Sequence, residues 1–81
     1  MELTVHLFGP AREAAGTGRA TVAVDPPVTA AAVIAALSSA FPGMAALLSR
    51  SRVAVNHAYV DAGASVSAGD EIAVIPPVGG G

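Results

Sequence analysis

The sequence predicts one α+β domain in which a single main helix covers a mixed β-sheet of four to five strands. Three observations predict this fold. The 81 residues have room for only one core. Hydrophobic residues make up 53% of the chain, and in several short segments they alternate with polar ones, as in half-buried strands. One longer segment has its apolar residues at helical spacing, and a helix packed on one sheet face buries both patterns.

The N-terminal segment predicts a strand followed by a short helix. Leu3, Val5 and Leu7 alternate with polar residues, which is the period of a half-buried strand. Pro10 suits the first position of a helix and Gly16 suits its C-terminal cap, so residues 11–15 are predicted to form one or two helical turns. A second strand is predicted over residues 19–24, because apolar residues again alternate there before an Asp-Pro-Pro break.

The main helix is predicted to begin after Thr29, whose side chain can accept a hydrogen bond from a free backbone N–H. Its apolar stripe consists of Val33, Ile34, Leu37 and Phe41. The helix should end before Pro42, because the residue preceding a proline disfavours the α conformation. A further short helical turn is predicted over residues 44–48.

The last third of the chain predicts strands over residues 52–55, 58–60 and 71–75, separated by turns at 56–57 and 68–70. If the first and last strands are parallel neighbours, this order gives the β-grasp topology of ubiquitin. A ferredoxin-like split remains open if a second helix lies within residues 42–50. The predicted organisation is a domain over residues 1–75 and a flexible tail over residues 76–81.

Composition excludes several functions. A net charge of −2 argues against nucleic-acid binding. The chain has no Cys, so no disulfide, thiolate metal site or thiol nucleophile is predicted. The longest nearly apolar stretch, residues 28–37, is about half of what a bilayer span needs. With no basic signal region at the N-terminus, we expect a cytoplasmic protein. His6 and His57 are predicted to be surface residues.

The C-terminal tail presents one reactive group. Pro76 and Pro77 lack the N–H that strand pairing needs, and three glycines without side chains then lead to the α-carboxylate of Gly81. A carboxylate must be activated before it reacts, most simply as an acyl-adenylate from ATP, and it can then pass to an amine or to sulfur. Since the chain has no Cys, any sulfur it carries would sit on the terminal acyl group, and since it has no Lys, it offers no side-chain amine for its own activated tail to attack. The alternative is a frayed terminus without function.

Four blocks of this sequence resemble the small subunit of molybdopterin synthase, a sulfur carrier of the β-grasp class. They are Leu7-Phe8-Gly9-Pro10-Ala11-Arg12-Glu13, Val55-Asn56, Gly69-Asp70-Glu71-Ile72-Ala73 and Pro76-Pro77-Val78-Gly79-Gly80-Gly81. The Gly-Gly ending alone would also fit thiamine-pathway carriers and ubiquitin-like modifiers. The Pro-Pro-Val segment and the Phe-x-x-x-Arg-Glu pattern favour the molybdopterin branch, and the resemblance spans the whole chain.

The resemblance implies a carrier that is not an enzyme on its own. An ATP-dependent enzyme would adenylate the terminal carboxylate of Gly81, next to Gly80, and the product would become a thiocarboxylate. Inside the large synthase subunit, this group would give its sulfur to cyclic pyranopterin monophosphate. The resemblance implies no bound cofactor and a heterotetramer of two small and two large subunits, with the catalytic pocket on the large subunit.

The resemblance also implies a docking face for the partner around the root of the tail. Its members would be Phe8, Tyr59 and Ile75, with Arg12 as a charged anchor at the rim. The tail residues that enter the partner would be Pro76, Pro77, Val78 and Gly79. From the residues alone, the alternative is that Phe8 and Ile75 are strand ends buried in the core.

Three other functions remain open. The chain could carry sulfur for thiamine, cysteine or tRNA thiolation, or it could be a ubiquitin-like modifier that is joined to lysines of target proteins. It could also be a β-grasp module that binds partners without covalent chemistry.

Overall fold

The computed structural model describes residues 1–77 and shows a β-grasp fold. In chain order its elements are β1 (Glu2–Leu7), α1 (Gly9–Ala15), β2 (Arg19–Ala23), β3 (Val28–Thr29), α2 (Ala30–Ala40), a 3-10 turn (Pro42–Met44), α3 (Ala45–Ser49), β4 (Arg52–Val55), β5 (Ala58–Val60), β6 (Ser65–Val66) and β7 (Ile72–Ile75). The main sheet has the strand order β2-β1-β7-β4-β5. Strands β1 and β7 are parallel neighbours, and the other pairs are antiparallel.

The position of the last strand decides between the two topologies that the sequence left open. A helix does lie within residues 42–50, as the ferredoxin-like alternative required, since α3 spans Ala45–Ser49. The last strand, however, lies in the middle of the sheet between β1 and β4, which is the β-grasp arrangement. The predicted α+β class and the mixed sheet are confirmed.

One face of the sheet and the helices form the core. The apolar residues whose alternation predicted strand β1 are buried, and so are Ile72 and Val74 of β7. From α2, Val33 and Leu37 are fully buried against them, while Phe41 lies partly buried at the helix end. Among residues 1–77 no polar or charged residue is buried, so the core is held by apolar packing.

The predicted helix caps are present. The Oγ1 atom of Thr29 accepts a hydrogen bond of 3.2 Å from the backbone N–H of Ala32. Gly16 adopts φ = 75° at the end of α1, and its N–H donates to the carbonyl of Arg12 at 3.0 Å. This left-handed conformation is one that glycine reaches without steric cost.

A two-stranded sheet formed by β3 and β6 was not predicted. Val28 pairs with Val66, and just beyond them the N–H groups of Ala30 and Ala31 donate to the carbonyls of Ala64 and Ala62. These bonds satisfy N–H groups that the first turn of α2 leaves unpaired. The segment after β5 is thereby fastened to the start of the main helix.

None of the helices within residues 1–77 combines the length and the apolar character needed to cross a bilayer.

Candidate functional site: the open sheet face at the root of the tail

The face of the sheet opposite the helices contains a shallow depression of about 360 Å³. It is lined by side chains from the four strands β1, β7, β4 and β5 and from their adjoining turns. The lining residues are His6, Phe8, Ala54, His57, Tyr59, Glu71, Ala73 and Ile75.

Strand register explains the shape of the depression. Ala73 on β7 has His6 as its Cα partner on one side and Ala54 on the other, and Ala54 is in turn paired with Tyr59. One row of side chains across β1, β7, β4 and β5 therefore consists of His6, Ala73, Ala54 and Tyr59, in that order. Because neighbouring side chains in such a row stand side by side, two alanines between larger residues leave a hollow.

The structure brings Phe8, Tyr59 and Ile75 together around this hollow. Phe8 is 49% exposed and Tyr59 is 56% exposed, which are large values for aromatic residues in a small domain. Ile75 is half-buried on the same face. Neither Phe8 nor Ile75 belongs to the buried core cluster, so the alternative that they are core strand ends is wrong. Their role in docking a partner stays a prediction.

The root of the tail lies at one end of this face. Strand β7 ends at Ile75, where Cα pairing with Arg52 of β4 also ends. Pro76 is buried and Pro77 is exposed beyond the strand, as expected for residues that cannot continue the ladder. The remaining predicted tail residues, Val78, Gly79, Gly80 and Gly81, lie outside the described residues.

Arg12 lies away from the depression. It projects from α1, and its Nε atom is 3.5 Å from the position that a Cβ on Gly18 would occupy. It is not one of the lining residues. Its proposed contact with a partner would therefore lie beyond the depression itself.

Two of the family-like blocks are hydrogen-bonded to each other at the end of the face where Glu71 lies. The Nδ2 group of Asn56 donates to Oδ1 of Asp70 at 3.1 Å, and the backbone N–H of Glu71 donates to Oδ1 of Asn56 at 2.9 Å. A hydrogen bond from the backbone N–H of Ser67 and another from the Asn56 side chain hold the pKa of Asp70 below its ordinary value of 3.8. The network ties the β4–β5 turn to the start of β7 and so fixes the strand that leads to the tail.

Polar and charged side chains lie at two ends of the apolar floor. At one end, Nε2 of His57 lies 3.2 Å from Oε2 of Glu71, and both side chains are largely exposed. At the tail end, Arg52 lies next to the depression without lining it, and its guanidinium carbon is 4.3 Å from the centre of the Tyr59 ring. Sequence reasoning missed Arg52 at this site. The alternation of β4 places it on the outer face, but only the strand register puts it beside Ile75 and Tyr59.

Within residues 1–77 this face therefore offers exposed apolar surface and a few charges, which suits recognition of another protein. The fold and this apolar face beside the tail root define a small ubiquitin-like protein of the β-grasp class. The chain belongs to the ThiS family, which matches residues 5–81.

Comparison with individual proteins adds three likenesses. The chain is 37% identical over 84 residues to the molybdopterin synthase sulfur carrier subunit of Drosophila simulans, covering 98% of this chain and 92% of that protein. It is 29% identical to small archaeal modifier protein 1 of Haloferax volcanii, with a TM-score of 0.84 over 95% of this chain and 98% of that one. A complex of subunits 1 and 2 of the molybdopterin-converting factor from Helicobacter pylori contains the same fold, at 23% identity and a TM-score of 0.69 over the whole of both chains. The first of these confirms the resemblance to molybdopterin synthase small subunits.

Proposed function

We propose that this protein is the sulfur-carrier subunit of molybdopterin synthase and that it works through the terminal carboxylate of Gly81. The observation that carries the proposal is the 37% identity, over nearly the whole chain, to a curated subunit of that name. The fold supports it, because the central strand β7 leads to the tail directly beside an exposed apolar face.

The proposed chemistry begins with activation. A carboxylate oxygen of Gly81 attacks the α-phosphate of ATP in an activating enzyme, which forms the acyl-adenylate and releases diphosphate. A sulfur donor at the oxidation level of hydrosulfide then displaces AMP and leaves a thiocarboxylate. ATP is thus a co-substrate of the activating enzyme, and this chain is proposed to bind no cofactor of its own.

Sulfur transfer is proposed to take place in the large synthase subunit, which would supply the catalytic pocket. There the thiocarboxylate gives its sulfur to cyclic pyranopterin monophosphate, and water restores the carboxylate. The small subunit contributes a docking face formed by Phe8, Tyr59 and Ile75, with Arg12 at the rim. Glycines 79–81 suit insertion because they require only the width of a backbone. A cytoplasmic heterotetramer of two small and two large subunits is part of the proposal.

Intact-mass measurement tests the activation step. The protein is incubated with the activating enzyme, ATP and a sulfur donor, and the expected product is heavier by the difference between one sulfur and one oxygen atom. A variant that lacks Gly80 and Gly81 should fold and remain unchanged in mass, as should the complete chain without ATP. An unchanged mass of the complete chain under full conditions would contradict the proposal.

A ubiquitin-like modifier is the second candidate function, favoured by the likeness to small archaeal modifier protein 1. The activated Gly81 would then be joined to a lysine of a target protein. Tail-derived isopeptides in a digest of cell protein would support this function, whereas recovery of the large synthase subunit in a pull-down favours sulfur transfer. Recovery of a thiazole synthase or a tRNA thiolase would instead indicate a carrier for another sulfur pathway.

A further inference from the structure

Arg52 occupies a distinctive position on the open sheet face. It is the first residue of β4, and its Cα partner is Ile75, the last strand residue before the tail. Phe8 follows Leu7, which is paired with Val74, so Phe8, Ile75 and Arg52 lie at the same end of the sheet. This is the end from which the tail departs.

Stacking on Tyr59 holds the Arg52 side chain over this face. Tyr59 is the Cα partner of Ala54. Arg52 lies two residues before Ala54 on the same side of β4, so Arg52 is a diagonal neighbour of Tyr59. The guanidinium carbon lies 4.3 Å from the ring centre, a distance typical of a cation–π contact. The planar group is therefore oriented in advance, and its N–H donors remain available at the edge.

Within the described part of the chain, no carboxylate lies within ion-pair distance of Arg52. The side-chain contact of salt-bridge length found within residues 1–77 joins Nε2 of His57 to Oε2 of Glu71, and it does not involve Arg52. Glu71 precedes β7, four residues from Ile75, which at about 3.3 Å per residue is about 13 Å along the strand. Asp61 follows β5 at the level of Arg52, yet the guanidinium lies over Tyr59 and forms no ion pair with that carboxylate.

Covering the face changes the surroundings of Arg52. A partner that buries Tyr59 and Ile75 also removes water from the guanidinium between them, and a desolvated cation without a counter-charge is strongly unfavourable. The fork of N–H donors on an arginine matches the two oxygens of a carboxylate. The complementary group on the partner is therefore an acidic side chain.

We infer that Arg52 is a specificity-determining residue of the docking face and that it pairs with an aspartate or glutamate of the large synthase subunit. This inference rests on the proposed function, because that function supplies the partner. The apolar residues supply contact area, whereas the pairing of Arg52 selects a surface with a carboxylate at one position. A partner that presents an apolar or basic group there is rejected.

Titration calorimetry with the large synthase subunit of the same organism tests the inference. Dissociation constants are measured at several salt concentrations for the wild type and for Arg52→Gln. The expected result is an increase in Kd of about tenfold, equivalent to about 1.4 kcal/mol. The dependence of Kd on salt should also become weaker, because one screened charge pair is lost. A purely structural role of Arg52 would not change that salt dependence.

Two matched variants control for loss of charge. Arg50→Gln removes the same charge from an exposed arginine at the end of α3, on the helical side of the sheet, and should leave Kd unchanged. Asp61→Asn removes the acid of this chain at the level of Arg52, and it should not weaken binding. If Arg52→Gln binds like the wild type with the same salt dependence, the inference is overturned while the proposed function stands. If the wild type does not bind the large subunit, the proposed function fails, and the inference fails with it.

Discussion

Replacement of Phe8 by alanine tests whether the open sheet face is a docking surface. The Phe8 side chain lies at the edge of the depression, outside the core cluster, and 49% of the residue is exposed in the free protein. An aromatic side chain has about 200 Å² of accessible surface, so about 100 Å² remains to be covered by a partner. At about 25 cal/mol per Å², covering it contributes about 2.5 kcal/mol.

The expected consequence is a loss of affinity for the large synthase subunit of up to about 70-fold, which corresponds to 2.5 kcal/mol at room temperature. Calorimetric titration measures the Kd, and circular dichroism at the same temperature checks that the variant is folded. Since the inner half of the ring also packs on the protein, some loss of stability is expected as well.

Phe41→Ala is the matched control, because Phe41 is an aromatic residue that is partly buried on the helical side of the core. It should lower the free energy of unfolding by several kcal/mol at most, while the Kd of the folded variant stays close to that of the wild type. A folded Phe8→Ala protein with wild-type affinity would refute the assignment of this face. So would an equal loss of affinity in both variants.

Three further predictions concern the fold that positions the face. Thr29→Ala should lower the free energy of unfolding, measured by urea denaturation, by about 1 kcal/mol, because the N–H of Ala32 loses its hydrogen-bond acceptor. Thr29→Ser keeps an acceptor and should lower the free energy of unfolding less. Equal losses in the two variants would contradict the capping role. Gly16→Ala should lower the free energy of unfolding by about 1–2 kcal/mol, and the cause is the positive φ alone, since no atom lies within 4 Å of the added Cβ. The control is Gly43→Ala, where the added Cβ also meets no atom within 4 Å and φ is not positive; its free energy of unfolding should be nearly unchanged. For Asp70, whose pKa is lowered by folding, the contribution to stability is present above its ordinary pKa of 3.8 and is lost as the pH falls through the lower folded value. Asp70→Asn should therefore be less stable than the wild type at about pH 7, with the difference shrinking toward about pH 2; a difference that is independent of pH would contradict this role.

Much of the fold could be predicted from the sequence because its signals are local. The alternation in β1, the cap at Thr29 and the glycine at the end of α1 each depend on neighbours within a few residues. The pairing of β3 with β6 escaped prediction, because two-residue strands contain no period and the paired residues lie 36 to 38 positions apart in the chain. Nothing in the residues near Val28 indicates Val66.

In the candidate site, too, the features that depend on local sequence could be predicted, and those that depend on strand pairing could not. The aromatic residues and the tail were identified from the sequence, and strand register then placed Phe8, Tyr59 and Ile75 around one hollow. The alanine floor could not be foreseen, because Ala54 and Ala73 become neighbours only through the pairing of β4 with β7. The stacking of Arg52 on Tyr59 also depends on register, and without it Arg52 is one more surface arginine.

The central position of β7 has a mechanical consequence. A pull on the tail acts along the axis of this strand, which is hydrogen-bonded to β1 on one side and to β4 on the other. Such a force loads both ladders in shear, so that the bonds must fail together, whereas an edge strand pulled sideways would lose them one at a time. A force on the end of the chain is therefore resisted by both ladders at once, so that the domain bears it as a unit.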